Sequence, residues 1–136
     1  MNQHRPEIDG ATRTFWAAAA EGRLLGSRCR DCGDLTSHPR GFCPSCWSDD
    51  VEDVDLSGRA TLHTYSVVRA NPMPPFVDLV PYVAAIVELS EGPRLATRLV
   101  DVDPDDPDGI AIGMALTARF EETAPGEGLV LFGPAG

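Results

Sequence analysis

A chain of 136 residues that is 43% hydrophobic holds enough apolar material for one ordinary globular unit, with room for a small second module. Its formal net charge of -10 argues against a nucleic-acid partner, and no apolar run approaches the ~20 residues of a membrane-spanning helix. The opening residues MNQHRPEIDG carry neither a basic leader nor an apolar segment for secretion, so a cytoplasmic protein is expected.

The acid is unevenly placed. Residues 1–50 carry six arginines against seven acids, whereas residues 51–136 carry five against fourteen. Lysine is absent, so every cation is an arginine, whose planar fork suits phosphate and carboxylate.

In chain order, residues 1–10 read as a loose arm. The stretch ATRTFWAAAAEGRLLGSR follows, and four consecutive alanines, a capping Thr12 or Thr14 and Gly22 as a stop predict a helix. Phe15 and Trp16 head its apolar side, Ala19 lies four residues on from Phe15, and Leu24 and Leu25 are expected to follow on that side. A helix this short has little core of its own. Either it folds back on the C-terminal part of the chain, or it covers an apolar surface on another molecule with Phe15 and Trp16 as anchors.

All four cysteines come next, in CRDCGDLTSHPRGFCPSC: Cys29, Cys32, Cys43 and Cys46. The spacing C-x2-C lets two thiolates grip one ion at ~2.3 Å, and a second such pair completes a tetrahedron. Gly33 can take positive φ after the first knuckle, and Pro44 stiffens the second. In a reducing compartment this clustering means metal ligation rather than disulfides. All-sulfur ligation suits zinc or iron, and one Zn2+ per chain is the expectation for a site with no evident redox partner. Four protein ligands leave no open position for activating water, so the ion is structural and contributes on the order of 10 kcal/mol to a ribbon too small to fold unaided. His38, between the knuckles, reads as a loop residue.

SDDVEDVDLSG reads as an acidic connector. Beyond it, five strands are predicted at 59–69, 82–89, 94–101, 114–120 and 128–132, with Ser90-Glu91-Gly92-Pro93 as a hairpin turn between the second and third. NPMPPFVDLVP and DVDPDDPDGIAIG are expected surface loops, the second too irregular for an EF-hand and better read as solvated carboxylates. Five short strands with two long connections fit a small OB-type barrel, with a two-layer sandwich as the alternative. The expected fold class is thus mainly β, organised as an N-terminal arm and helix (1–25), a zinc ribbon (26–50) and an OB-fold domain (51–136).

The ordered set FW at 15–16, G-x-L at 22–24, CRDCG at 29–33, P-R at 39–40, CPSC at 43–46, SGRATLHTYS at 57–66, PYVAAIVELSEG at 81–92 and IG at 112–113 resembles the DUF35 family over residues 11–133. That resemblance implies an N-terminal helix, a rubredoxin-like zinc ribbon and an OB-fold associated with acyl-CoA chemistry. It further implies an accessory subunit, found in hetero-oligomers with thiolases, thiolase-like aldolases or MaoC-type hydratases, some of which degrade steroid side chains. Of the family's residues only the four cysteines carry over.

The residues themselves agree with an accessory role. With all thiols committed to metal there is no free cysteine nucleophile, and neither a G-x-S-x-G elbow nor a phosphate-binding glycine loop occurs. His63 reads as a half-buried barrel histidine. If acyl-CoA touches this chain, its phosphates want arginines, and Arg28, Arg40 and Arg69 are the candidates, around a groove between ribbon and barrel. The interface candidates are Phe15, Trp16 and Phe76. The competing class is a single-stranded nucleic-acid module, which the acidic barrel half disfavours.

Overall fold

The computed structural model describes residues 13–37, 41–73, 78–124 and 127–135. Of the sequence candidates, His38, Arg40 and Phe76 lie outside the described residues.

The helix α1 spans Arg13–Ala20 and buries Phe15, Ala18 and Ala19, the i, i+3, i+4 spacing of one helical face. It ends as its sequence demands. Gly22 sits at φ 78°, its N–H donates to Ala19 O at 3.0 Å, and the Arg23 N–H reaches back to Ala18 O at 2.9 Å, a Schellman ending in which glycine takes the left-handed position. Leu24 and Leu25 do not extend the helical face. They open strand β1 (Leu24–Cys29), because the glycine reverses the chain two residues before them.

β1 is the centre of a three-stranded antiparallel sheet with β2 (Leu35–Thr36) and β3 (Val51–Leu56). β3 corrects the expectation of a connector. Asp and Glu are poor strand formers, yet here Val54 and Leu56 turn inward while Asp53 and Asp55 face solvent. The exposed acids near β3 meet arginines at the two ends of β1, Arg23 to Asp55 at 2.8 Å and Arg30 to Asp50 at 2.9 Å, opposite-charge pairs that favour strand pairing.

The remaining strands are β4 (Arg59–Val68), β5 (Tyr82–Leu89), β6 (Arg94–Leu99), β7 (Ala115–Ala124) and β8 (Glu127–Pro134). They close into a barrel in the order β4-β5-β6-β8-β7, with antiparallel neighbours except for β6 and β8, which run parallel through Leu99 and Phe132. This is the five-stranded OB arrangement, not a sandwich. Period-2 alternation fills the interior: Val83, Ala85, Val87 and Leu89 on β5 are all buried, against Leu62, Leu116 and Phe132. His63 sits at a bulge between Leu62 and Thr64 and is exposed, so the extra residue of the bulge turns it outward rather than half into the core.

Of the two placements open to α1, the chain uses the first. The helix lies on β8, β7 and β1, and Phe15 is only 2% exposed, in the same apolar cluster as Leu24, Leu56 and Phe132. Its ring therefore packs within this chain and is not free to anchor a partner. Trp16 packs against the cluster edge-on to Phe15, with ring centroids 4.8 Å apart. The approach is close because Gly128 lacks a side chain: a Cβ there would stand 2.6 Å from Ala20 N and 2.8 Å from Ala19 C.

Ribbon and barrel are tied at their joint. The Glu91 carboxylate in the β5–β6 turn accepts the Ser57 N–H at 2.7 Å, and the buried Ser37 hydroxyl donates to Arg94 O at 3.0 Å.

Candidate metal centre and its surroundings

The ribbon is built from two matched turns. In the first, Gly33 N–H donates to Cys29 O at 2.9 Å and Cys29 N–H to Asp34 O at 2.9 Å; in the second, Trp47 N–H donates to Cys43 O at 2.8 Å and Cys43 N–H to Ser48 O at 2.7 Å. Each turn aims two sulfurs at one point. All four Sγ atoms lie within 4.8 Å of one another, with Cys29 to Cys46 at 3.6 Å and Cys32 to Cys43 at 3.5 Å. Four sulfurs ~2.3 Å from a common centre stand ~3.8 Å apart. The donor set therefore fits one tetrahedral ion.

The protein prepares these sulfurs for it. The Cys32 amide points at Cys29 Sγ at 3.4 Å. The Cys43 thiol is drawn down to about 7 by the backbone N–H of Cys46, which outweighs desolvation, with help from the Ser45 amide. The Asp34 amide pulls Cys32 down too, but the hydrogen bond shared with Cys43 and desolvation push it up to about 12. Without an ion the Cys32 sulfur keeps its proton, and metal entry would have to displace it. Cys29 and Cys43 are buried while Cys32 and Cys46 are exposed, so one side of the cluster faces solvent. With four sulfurs around one centre there is no position left for water or substrate.

Among the described residues no other group of three His, Cys, Asp or Glu side chains converges in this way. The acidic loop after β6 uses its carboxylates locally: Asp106 accepts from the Asp108 N–H at 3.0 Å, Asp103 from the Asp105 N–H at 2.9 Å, and Asp105 pairs with Arg69 at 2.8 Å.

A groove between ribbon and barrel is present, about 230 Å3 in volume, but it is lined by Gly22, Arg23, Asp55, Ser57, Thr117 and Phe120 among others, and holds neither Arg28 nor Arg69. Its one cation, Arg23, is already paired with Glu21 at 3.0 Å and Asp55 at 2.8 Å. A second groove of about 360 Å3, between α1 and the ribbon sheet, shares Arg23 and adds Asp53. Arg28 is exposed on β1, and Arg69 is tied to Asp105 just past the end of β4.

Sequence reading missed Phe42 and Trp47, which bracket the second knuckle. Their rings stack at 5.5 Å with planes 3° apart, and they are 38% and 77% exposed. The signal was in the sequence: aligning the two knuckles sets Trp47 opposite Gly33.

Known proteins share this architecture. Residues 16–52 match the family model described as ChsH2, rubredoxin-like zinc ribbon domain, and residues 53–121 match ChsH2, C-terminal OB-fold domain. A solved structure described as an Ltp2-ChsH2(DUF35) aldolase contains a chain 38% identical, with a TM-score of 0.81, covering 97% of this chain and all of that one. A probable enoyl-CoA hydratase alpha subunit from Thermomonospora curvata is 38% identical over 131 residues, 96% of this chain and 40% of that protein; this chain thus spans about two fifths of that relative. The benzoylsuccinyl-CoA thiolase subunit BbsA of Thauera aromatica is 32% identical over 100 residues, 71% of this chain and 67% of the subunit. With both halves matched, in order, this chain belongs to the ChsH2 (DUF35) family of zinc-ribbon and OB-fold proteins.

Proposed function

We propose that this chain is a non-catalytic accessory subunit of an acyl-CoA enzyme, and that its partner is a thiolase-like aldolase or thiolase. The observation that carries the reading is the match along essentially both full lengths to the DUF35 chain of an aldolase complex. In this reading the ribbon holds one Zn2+ through Cys29, Cys32, Cys43 and Cys46, which fixes the ribbon and takes no part in bond making. Carbon–carbon cleavage or acyl transfer belongs to the partner. This chain stabilises the partner and closes part of its acyl-CoA site. Of the candidate arginines, Arg28 is exposed and has no ion pair among the described residues, which leaves it free to meet a CoA phosphate, whereas Arg69 is held by Asp105.

A hydratase partner is the second reading, favoured by the Thermomonospora relative. One experiment separates the two: purification of the tagged chain from its native host, with identification of the stoichiometric partner, a zinc assay, and partner turnover with and without the chain. A thiolase-like subunit whose turnover depends on the chain is the expected result. A partner that turns over equally well alone, or a chain that purifies with none, overturns the accessory reading.

A further inference from the structure

The two knuckles of the ribbon make the same turn with different residues in the critical place. After Cys32 the chain enters the left-handed region at Gly33, φ 79°; after Cys46 it does so at Trp47, φ 66°. The backbone hydrogen bonds are equivalent in the two turns, so the same conformation is demanded of both residues. Glycine adopts it freely, whereas a bulky side chain does so against steric resistance. Folding does not account for the tryptophan. A ring that served the core would be buried, yet Trp47 is the most exposed large apolar side chain described, at 77%, and its ring contact is Phe42, itself 38% exposed.

The surroundings state what could cover this pair. Asp31, Asp34 and Asp49 stand on the same two turns, exposed and without a cationic partner among the described residues; the Ser48 and Ser45 hydroxyls donate to Asp31 and Asp34. Asp50 is the exception, neutralised by Arg30 at 2.9 Å. A second copy of this chain would bring carboxylates against carboxylates. Single-stranded nucleic acid could stack on the rings, but its phosphates would meet the same charge. A protein surface with an apolar slot bordered by arginine or lysine satisfies both the rings and the acids.

We infer that the second zinc knuckle is the docking head of this chain, with the stacked Phe42 and Trp47 rings seated in an apolar, basic-rimmed slot on the partner acyl-CoA enzyme. This deepens the accessory reading above and rests on it. The left-handed Trp47 keeps its ring stacked on Phe42 and largely open to solvent, as an interface anchor in the free chain requires.

The variant that tests it is Trp47→Gly, because it removes the ring and also relieves the backbone, so the ribbon is expected to fold at least as well. Affinity for the purified partner subunit is measured by calorimetry for the wild type, Trp47→Gly, Trp47→Phe, Phe42→Ser, and a barrel control, Met73→Ser with Ile112→Ser, whose side chains are 65% and 62% exposed. Trp47→Gly should weaken binding at least ~30-fold with zinc content and melting temperature retained, Trp47→Phe should restore most of it, and the control should bind as wild type. Asp31→Asn with Asp49→Asn should slow association and flatten its salt dependence. If the complex forms and Trp47→Gly binds unchanged, the docking assignment fails while the accessory reading stands. If the wild-type chain binds no acyl-CoA enzyme, both fail. Quenching of Trp47 fluorescence by a single-stranded oligonucleotide, with no such loss of protein binding in Trp47→Gly, would replace the assignment with a nucleic-acid platform.

Discussion

Gly128→Ala tests how the helix is held. A Cβ at that position would meet Ala20 N at 2.6 Å and Ala19 C at 2.8 Å, and these are backbone atoms of the helix rather than ends of flexible side chains. Ordinary contact begins at 3.4 Å, so the helix must retreat by about 0.8 Å, pulling Phe15 away from Phe132 and its neighbours. Over-packing of this kind costs about 1–3 kcal/mol. For a chain of this size each kcal/mol lowers the melting temperature by about 3–5 °C. Phe15→Ala, which empties the same seat, should cost about 3–5 kcal/mol, and the two changes together should cost less than their sum, because a helix already loosened no longer resists the added methyl. Thermal unfolding followed by circular dichroism, with the pair in a double-mutant cycle, reads all of this out. A Gly128→Ala melting temperature within about 1 °C of wild type, or strict additivity, would refute a helix seated on β8 at this distance.

Glu91→Ala removes the acceptor of the Ser57 N–H at 2.7 Å and should cost about 1 kcal/mol while exposing the joint between ribbon and barrel to limited proteolysis; Glu91→Gln should retain most of both. Apparent zinc affinity should fall as pH falls. The Cys43 thiol is drawn down to about 7 and the Cys32 thiol pushed up to about 12 before metal enters, so binding expels protons, and acid favours the protonated thiols that cannot ligate. Competition with a chromophoric chelator across pH 6 to 8 measures it, and a flat profile would exclude thiolate ligation.

The barrel was legible in sequence because its strands obey one rule. Val83, Ala85, Val87 and Leu89 alternate with outward residues, and glycine and proline mark the turns. The convergence of the four cysteines was legible because two C-x2-C pairs that turn alike bring their sulfurs to one place. The ribbon's third strand was not, since VEDVDL carries three acids in six residues and looks solvated until Arg23 and Arg30 are known to stand beside it. Pairing of that kind is a tertiary fact, invisible to a local window. The same holds for Leu24 and Leu25, which follow the helical spacing of Phe15 but lie beyond a glycine that turns the chain into β1. Charge pairing also set the fate of the arginines: Arg23, Arg30 and Arg69 are neutralised by acids of the chain itself, so a count of cations along the sequence overstated what is free to receive a phosphate. Trp47 was passed over because a single aromatic after a metal ligand has no periodicity to betray it; only superposing one knuckle on the other shows that a glycine position is occupied.

The distribution of buried residues divides the ribbon in a way its sequence boundaries do not. Leu24, Leu25 and Leu56, at the base of the three-stranded sheet, belong to the same apolar cluster as the helix and barrel, whereas Cys29 and Cys43 do not. In the two turns between Arg30 and Asp50, Cys43 and Ser37 are the buried side chains among the described residues, so that half has almost no apolar interior to resist unfolding and, in the proposed reading, relies on a bound ion, worth on the order of 10 kcal/mol in modules of this kind. Metal removal should therefore melt the turns while the sheet base stays folded on the barrel. Hydrogen exchange with and without a chelator locates the break: the amides of Gly33, Cys43 and Trp47, which hold the knuckles closed, should lose protection, while those of Gly26 and Val54, paired across β1 and β3 below them, should keep it. Cys43→Ser should reproduce the pattern without chelator. If chelation also exposes the base of the sheet, the ribbon unfolds as one unit and its attachment to the barrel is weaker than the shared core implies; if the knuckle amides stay protected, their turns are held by their hydrogen bonds alone and the ion has no structural role there.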